Sequence, residues 1–287
     1  MSSAADPPAQ QFWIVRHGIK YAGMPAWVAL GREDEVWSVV VFLQALPGTD
    51  APTYRRLAFG QVTAATEEAA EGLWLLLLNG PTGNGLAACA RCHGAGGGGG
   101  GDPNGAFPRL QGQTVEYLYG ALQSYALAAR PSGIMQPVAA ELGDAEMRVL
   151  AEHYAAQPMP AGPAVAGEMP AETLALGRRI AQEGLPGRGV AACAACHGPK
   201  TGPVPALYPR LEGQYEGYIA TQLGLWMSGV RGGRREKPEG AMMARAVGMN
   251  PDQPGHQPSM RPEEIRAVAA CYARQPRPAP QGAVAER

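Results

Sequence analysis

The sequence predicts a mainly α-helical protein built from two tandem copies of one unit. Residues 107–130 align with residues 208–231 without a gap, at a constant offset of 101. A Cys-x-x-Cys-His motif also occurs twice, at an offset of 104 between Cys89 and Cys193. Apolar residues follow helical spacing, and little of the chain alternates as a strand would. The residues that recur at the offset of 101 are Pro108, Arg109, Leu110, Gly112, Gln113, Tyr117, Leu122 and Arg130.

The order of elements is the same in both predicted units. A small-residue segment leads to the Cys-x-x-Cys-His motif, and a glycine-rich loop, a helix, a methionine-bearing loop and a final amphipathic helix follow. Asp144 is a candidate N-cap for the final helix of the first unit. The apolar positions of that helix are Met147, Leu150, Ala151 and Tyr154.

The predicted domains follow from these repeats and from the proline- and glycine-rich stretch between them. We expect a first domain over residues 61–158, a linker over 159–170 and a second domain over 171–287. Residues 1–60 form a further partial domain, with a helix predicted over 34–46. A chain of 287 residues is long enough for two ordinary domains.

Composition excludes some functional classes and leaves others open. The formal net charge of -1 gives no indication of a nucleic-acid partner. The longest apolar runs, 36–46 and 73–78, are shorter than the roughly 20 residues that span a bilayer. Aromatic residues make up only 7% of the chain, so a bulky apolar cofactor would help to fill its cores.

The two cysteine motifs indicate covalent haem attachment. Cys89-Ala90-Arg91-Cys92-His93 and Cys193-Ala194-Ala195-Cys196-His197 each place two thiols three positions apart, with a histidine directly after them. Such thiols add across the two vinyl groups of one porphyrin, and the histidine ligates the iron. A zinc site or a redox-active cysteine pair is the alternative. The sequence therefore predicts two covalently bound haem c groups, with His93 and His197 as iron ligands.

A haem iron that only transfers electrons needs a second axial ligand, and methionine sulfur is suited to this role. Met135 precedes the final helix of the first unit and is the candidate there. In the second unit Met242, Met243 and Met249 are all candidates, and we favour Met243. The alternative role for each methionine is core filling.

At these motifs the chain resembles the class I c-type cytochromes, in particular bacterial proteins with two tandem haem domains, over residues 86–276. The segments that begin at Pro108 and Pro209 look like the proline loop of that family. The resemblance implies that both proline carbonyls accept a hydrogen bond from the haem histidines. Arg109 and Arg210, which follow, would pair with haem propionates. We expect the two helical domains to pack face to face, so that electrons can pass between the haems.

Residues 12–60 resemble the methionine-bearing back half of a further single-haem domain, with Met24 in the ligand position. No Cys-x-x-Cys-His motif precedes Met24, and residues 1–10 lack the pattern of a secretion signal. We expect either a start codon placed too far downstream or a haemless remnant. Covalent haem attachment in this family takes place outside the bacterial cytoplasm, so the resemblance implies a periplasmic location.

The resulting functional prediction is a non-enzymatic cytochrome that passes single electrons between redox proteins. A cytochrome subunit of a larger dehydrogenase or oxidase complex is an alternative. A haem peroxidase is a further alternative, because the methionine of the second unit is ambiguous and an open iron would permit catalysis.

Overall fold

The computed structural model describes residues 7–54, 85–99, 106–158, 168–198, 205–232, 238–249 and 259–276. This part of the chain is helical, and its β-structure is confined to isolated bridges. Two short 3₁₀ turns are also present, at Leu46–Gly48 and Pro186–Arg188. The helices are α1 (Pro8–His17), α2 (Glu33–Ala45), α3 (Gly85–His93), α4 (Val115–Ala126), α5 (Met135–Ala140), α6 (Asp144–Ala155), α7 (Ala171–Glu183), α8 (Ala194–His197), α9 (Glu216–Met227), α10 (Pro238–Ala246) and α11 (Pro262–Ala273).

The first unit is held together by α4 and α6, which pack against each other, with α5 lying against α4. Leu118 of α4 meets Ala151 and Tyr154 of α6 in one apolar cluster. Cys89 of α3 lies against this cluster and against a second one around Leu150. The first cysteine of the motif thus faces the apolar interior of its unit.

The second unit has a larger core, formed chiefly by α7, α9 and α11. Helices α7 and α11 approach closely at Gly177, where a Cβ atom would lie 2.1 Å from the carbonyl oxygen of Ala267. Ile180 and Tyr272 are fully buried, and burial of such side chains contributes about 1.5–3 kcal/mol each. Cys193 and Met243 pack against the edge of this core.

Helices α1 and α2 pack together as an N-terminal hairpin. The helix predicted over residues 34–46 is observed at Glu33–Ala45, whereas α1 was not predicted. The loop between them turns at Gly18, which has φ +70°, and closes with a bridge between Ile19 and Met24. A Cβ at Gly18 would lie 2.4 Å from the Met24 carbonyl, so this turn requires glycine.

The prediction that Asp144 caps α6 is wrong. Gly143 occupies the N-cap position in extended conformation, and Asp144 is the first residue of the helix. The Asp144 carboxylate accepts hydrogen bonds from Tyr119 Oη at 2.5 Å and from Gln123 at 3.2 Å, so it fastens α6 to α4. Within the described ranges no helix is both long and apolar enough to cross a membrane. The apolar run 73–78 and the linker residues 159–167 lie outside the described residues.

Candidate haem sites

The first motif is carried by α3. Cys89 and Cys92 are separated by three positions, which places both thiols on one side of a helix. His93 ends the helix and is buried, with 6% of its surface exposed. Its Nδ1 atom lies 2.9 Å from the carbonyl oxygen of Pro108. That contact fixes the proton on Nδ1 and makes Nε2 the atom that is available to a metal.

The second motif repeats this arrangement at the start of a short helix. Cys193 occupies the N-cap position of α8, which ends at His197. His197 is 7% exposed, and its Nδ1 atom lies 2.9 Å from the Pro209 carbonyl oxygen. Burial lowers the pKa of both His93 and His197, against the smaller opposing effect of the proline carbonyls. Each imidazole is therefore kept in the neutral form that binds iron.

A glycine-rich turn brings Pro108 back to the histidine. Gly97 has φ +71°, and a Cβ there would lie 2.7 Å from the Tyr154 ring. The Gly97 carbonyl accepts the Leu110 amide at 2.8 Å, and the His93 carbonyl accepts the Gly99 amide at 2.9 Å. These bonds fold the chain after His93 against α6, so that Pro108 faces the imidazole.

The four motif cysteines are free and half-buried. Burial raises the pKa of Cys89 to about 11 and that of Cys193 to about 11. Redox-active cysteine pairs depend on the opposite shift, because the thiolate is their reactive form. Thiols in apolar surroundings, next to a neutral imidazole, fit a porphyrin edge better than they fit a redox-active pair.

The candidate methionines lie in different surroundings. Met135 is the half-buried first residue of α5. On α10, Met243 packs against the second core, whereas Met242 is 47% exposed and its Sδ accepts a hydrogen bond from Tyr208 Oη at 3.0 Å. Met249, beyond the end of α10, also lies against the second core. Met242 is thus directed away from the apolar interior that Met243 and Met249 face.

Arg109 and Arg210 lie between the two units. The Arg109 guanidinium stacks over the Tyr215 ring at 5.0 Å, and its Nε is buried without a hydrogen-bond partner. Arg210 Nη1 donates to the Gly112 carbonyl at 3.2 Å. A buried N–H without an acceptor is costly, so a carboxylate such as a haem propionate fits beside Arg109.

Two further arginines, Arg130 and Arg231, are buried, which the sequence analysis did not predict. Arg130 is 4% exposed, and its Nη2 donates to Tyr218 Oη at 2.7 Å and to Gln222 Oε1 at 2.9 Å. Arg231, 9% exposed, donates to the same Gln222 oxygen at 2.7 Å and stacks on Trp226 at 3.8 Å. All of these contacts are with neutral groups. Their recurrence at the offset of 101 was visible in the sequence, but recurrence alone did not indicate that they are buried, or that Arg130 contacts the second unit.

The two units contact each other through a reciprocal pair of glutamines. Gln113 bonds both backbone groups of Arg210, at 2.8 Å to the carbonyl and 2.9 Å to the amide. Gln214 bonds both backbone groups of Arg109, at 2.9 Å and 3.0 Å. Both glutamines are at most 5% exposed. The segments that position the two imidazoles therefore also join the units.

The fold and the two sites define a c-type cytochrome, and the comparison with known proteins agrees. The family model of cytochrome c matches residues 82–162 and 175–270, and the chain belongs to that family. The chain is 36% identical over 186 residues to the thiosulfate dehydrogenase electron acceptor of Stutzerimonas stutzeri. The aligned region covers 65% of this chain and 78% of that protein. It is 34% identical over 161 residues to cytochrome c4 of Azotobacter vinelandii, which covers 52% of this chain and 72% of the relative.

A solved structure supports the same assignment. Cytochrome c4 of Acidithiobacillus ferrooxidans superposes with a TM-score of 0.50 and 28% identity, over 64% of this chain and 97% of that one. The chain is an electron-transfer cytochrome with two covalently bound haem c groups. This confirms the predicted helical tandem fold, the cofactor and the general function, whereas the roles of individual residues stay predictions.

Proposed function

We propose that the chain is a periplasmic one-electron relay in which His93 and Met135 ligate the first haem iron, and His197 and Met243 the second. The observation that carries the proposal is the repeated proximal geometry, with each buried imidazole 2.9 Å from a proline carbonyl. A neutral, oriented imidazole in an apolar shell suits a haem site whose structure changes little when the iron gains or loses an electron. The bound haems would supply the one-electron iron couple.

The remaining site residues attach and orient the haems. Cys89 and Cys92 would hold the first haem through two thioether bonds, and Cys193 and Cys196 would hold the second. Pro108 and Pro209 hold the imidazoles. Arg109 and Arg210 compensate the charge of propionates, which is supported by the buried, unpartnered Nε of Arg109.

The same ligands make the protein a carrier and not an enzyme. An iron that is capped by histidine and methionine has no open position for a substrate or peroxide. Met243 is proposed in preference to Met242 because Met243 packs against the core that Cys193 also contacts, whereas Met242 is exposed. Electrons would pass between the haems across the interface that Gln113 and Gln214 bridge.

The proposed donor is a dehydrogenase that oxidises thiosulfate. The support is the relative described as a thiosulfate dehydrogenase electron acceptor, which matches 65% of this chain. The periplasmic location follows from covalent haem attachment, which this family completes outside the bacterial cytoplasm. The domains proposed for the two haems are residues 61–158 and 171–287, after a partial domain at 1–60.

The test uses the full chain, produced with a secretion signal and a haem maturation system. Thiosulfate and a purified thiosulfate dehydrogenase are expected to reduce both haems, whereas either alone leaves them oxidised. Adding cyanide or peroxide to the ferric protein is expected to leave the spectrum unchanged on the time scale of electron transfer. Rapid cyanide binding together with peroxide turnover would favour the peroxidase alternative. Failure of the enzyme to reduce the cytochrome would exclude this donor.

A further inference from the structure

The N-terminal hairpin lies outside both ranges that the cytochrome c family model matches, yet buried charges join it to the first haem unit. Arg32 and Glu35 are 8% and 6% exposed, and Arg32 Nη1 lies 2.8 Å from Glu35 Oε1. The same Arg32 nitrogen donates to the Pro131 carbonyl at 2.8 Å. This ion pair is thus directed at the loop 131–134, which immediately precedes Met135.

Glu35 accepts hydrogen bonds from that loop through both carboxylate oxygens. Oε1 accepts from Ser132 Oγ at 2.8 Å, and Oε2 accepts from the Gly133 amide at 2.6 Å. Oε2 also accepts from Trp27 Nε1 at 3.0 Å. The Trp27 ring covers the loop so closely that a Cβ on Gly133 would lie 2.3 Å from it. One buried carboxylate therefore joins the hairpin, the loop and the indole.

Ser132 continues this network to the start of α5. It is 4% exposed, and its Oγ accepts from the amide of Met135 at 3.1 Å and from that of Ile134 at 3.3 Å. Because the Ser132 hydroxyl donates to Glu35, its lone pairs are oriented toward these amides. A continuous chain of hydrogen bonds thus runs from Glu35 to the backbone of Met135.

We propose that Glu35 is a positioning residue that holds the loop 131–134 so that Met135 stays on the first haem iron. The inference rests on the proposed function, in which Met135 is that ligand. Every group around the Glu35 carboxylate is a hydrogen-bond donor, so its loss leaves several buried donors unsatisfied and frees the loop. The N-terminal hairpin then helps to position the methionine ligand of the first haem.

The test compares Glu35→Gln with Glu33→Gln in the full-length protein loaded with haem. Both variants remove one negative charge from α2, but Glu33 is 48% exposed and meets only Arg16, at 3.4 Å, among its ion-pair partners in the described residues. The readout is the rate at which imidazole displaces methionine from ferric haem, followed by loss of the far-red methionine–iron absorption band. Glu35→Gln is expected to speed this reaction on the order of tenfold at one haem only. A rate equal to that of Glu33→Gln would overturn the proposal.

Two further variants keep the result interpretable. Trp27→Phe removes one hydrogen-bond donor from Glu35 and retains an aromatic ring over Gly133. If Glu35→Gln fails to fold, the rate of methionine displacement in Trp27→Phe is compared with that of Glu33→Gln, and equal rates would overturn the proposal. Met135→Ala separates the two hypotheses. If it leaves the methionine band of both haems intact, the proposed ligation is wrong. If it removes one band while neither Glu35→Gln nor Trp27→Phe changes the rate, only the positioning role is wrong.

Discussion

On helix α10, two adjacent methionines point into different surroundings. Met242 is 47% exposed and contacts Tyr208 Oη, whereas Met243 faces the second core. Neighbouring positions on a helix are rotated by about 100° from each other, so only one of the two can face a haem in that core.

Alanine substitution at Met243, with Met242→Ala as the control, tests which of these methionines ligates the second haem. Met243→Ala is expected to remove the far-red methionine–iron band of one ferric haem and to lower its reduction potential on the order of 0.1 V, since axial ligands span roughly 0.8 V. Met242→Ala should change neither. Spectroelectrochemical titration of both variants provides the measurement, and a loss of the band in Met242→Ala alone, or in neither variant, would refute the assignment.

The cysteines proposed to attach the haems could be identified from the sequence, because thioether chemistry requires a fixed local spacing; their role stays a prediction. The proline partners of His93 and His197 entered only through the family resemblance, and the structure places both carbonyls at 2.9 Å. The burial of Arg130 and Arg231 was not predicted, because it depends on side-chain contacts with other segments of the chain. No local pattern encodes these contacts.

Among the elements, the final helix of the second unit begins with a buried acid. Glu264 is 2% exposed and accepts from Arg188 Nη2 at 2.5 Å and from the Arg261 amide at 2.8 Å. The hydrogen bond from Arg188 is the main reason that the pKa of Glu264 falls to about 2 from its ordinary value of 4.5. This carboxylate ties the start of α11 to the turn that follows α7.

The pH dependence of stability follows from that shift. The lowered pKa means that the stabilising effect of Glu264 is complete above about pH 4.5 and is lost as the pH falls through about 2. Glu264→Gln is expected to reduce the free energy of unfolding on the order of 1–3 kcal/mol at neutral pH, because the arginines are partly exposed. Denaturant unfolding of both proteins from pH 7 to pH 2 should show this difference shrinking; a difference independent of pH would contradict the account.

Element positions were predicted unevenly. Helix α2 was expected at residues 34–46 and forms at Glu33–Ala45, because its acidic first turn and apolar body are local signals. Helix α1 was missed; it begins after a proline, has no side-chain cap and is not acidic in its first turn. The cap expected at Asp144 failed because Tyr119, a residue 25 positions away, takes up the carboxylate.

Over the whole molecule, the duplicated segments make the contact between the units. Gln113 and Gln214 recur at the offset of 101, and each bonds the backbone of the arginine that follows the other unit's proline. The sequence indicated the duplication, and face-to-face packing was expected because electrons must pass between the two haems. The reciprocal bonds themselves could not be predicted, because they need both units in place.

Loss of one glutamine should weaken the contact between the units. Gln214→Leu leaves the amide and carbonyl of Arg109 without their side-chain partner, which is expected to cost about 1–3 kcal/mol of stability. Differential scanning calorimetry is expected to show a lower unfolding temperature and separate unfolding transitions for the two units. Gln10→Leu, at an exposed position on α1, is the control and should match the natural chain. Identical transitions for both variants would show that the glutamines contribute nothing to the interface.

The number of haems bound per chain is the property on which the proposed electron relay depends. After production with a secretion signal and a haem maturation system, covalent haem per polypeptide is measured by pyridine haemochrome absorbance and intact mass. Two haems are expected in the natural chain, and one is expected when Cys89 and Cys92 are both changed to serine. Fewer than two haems in the natural chain, or zinc bound in their place, would contradict this expectation.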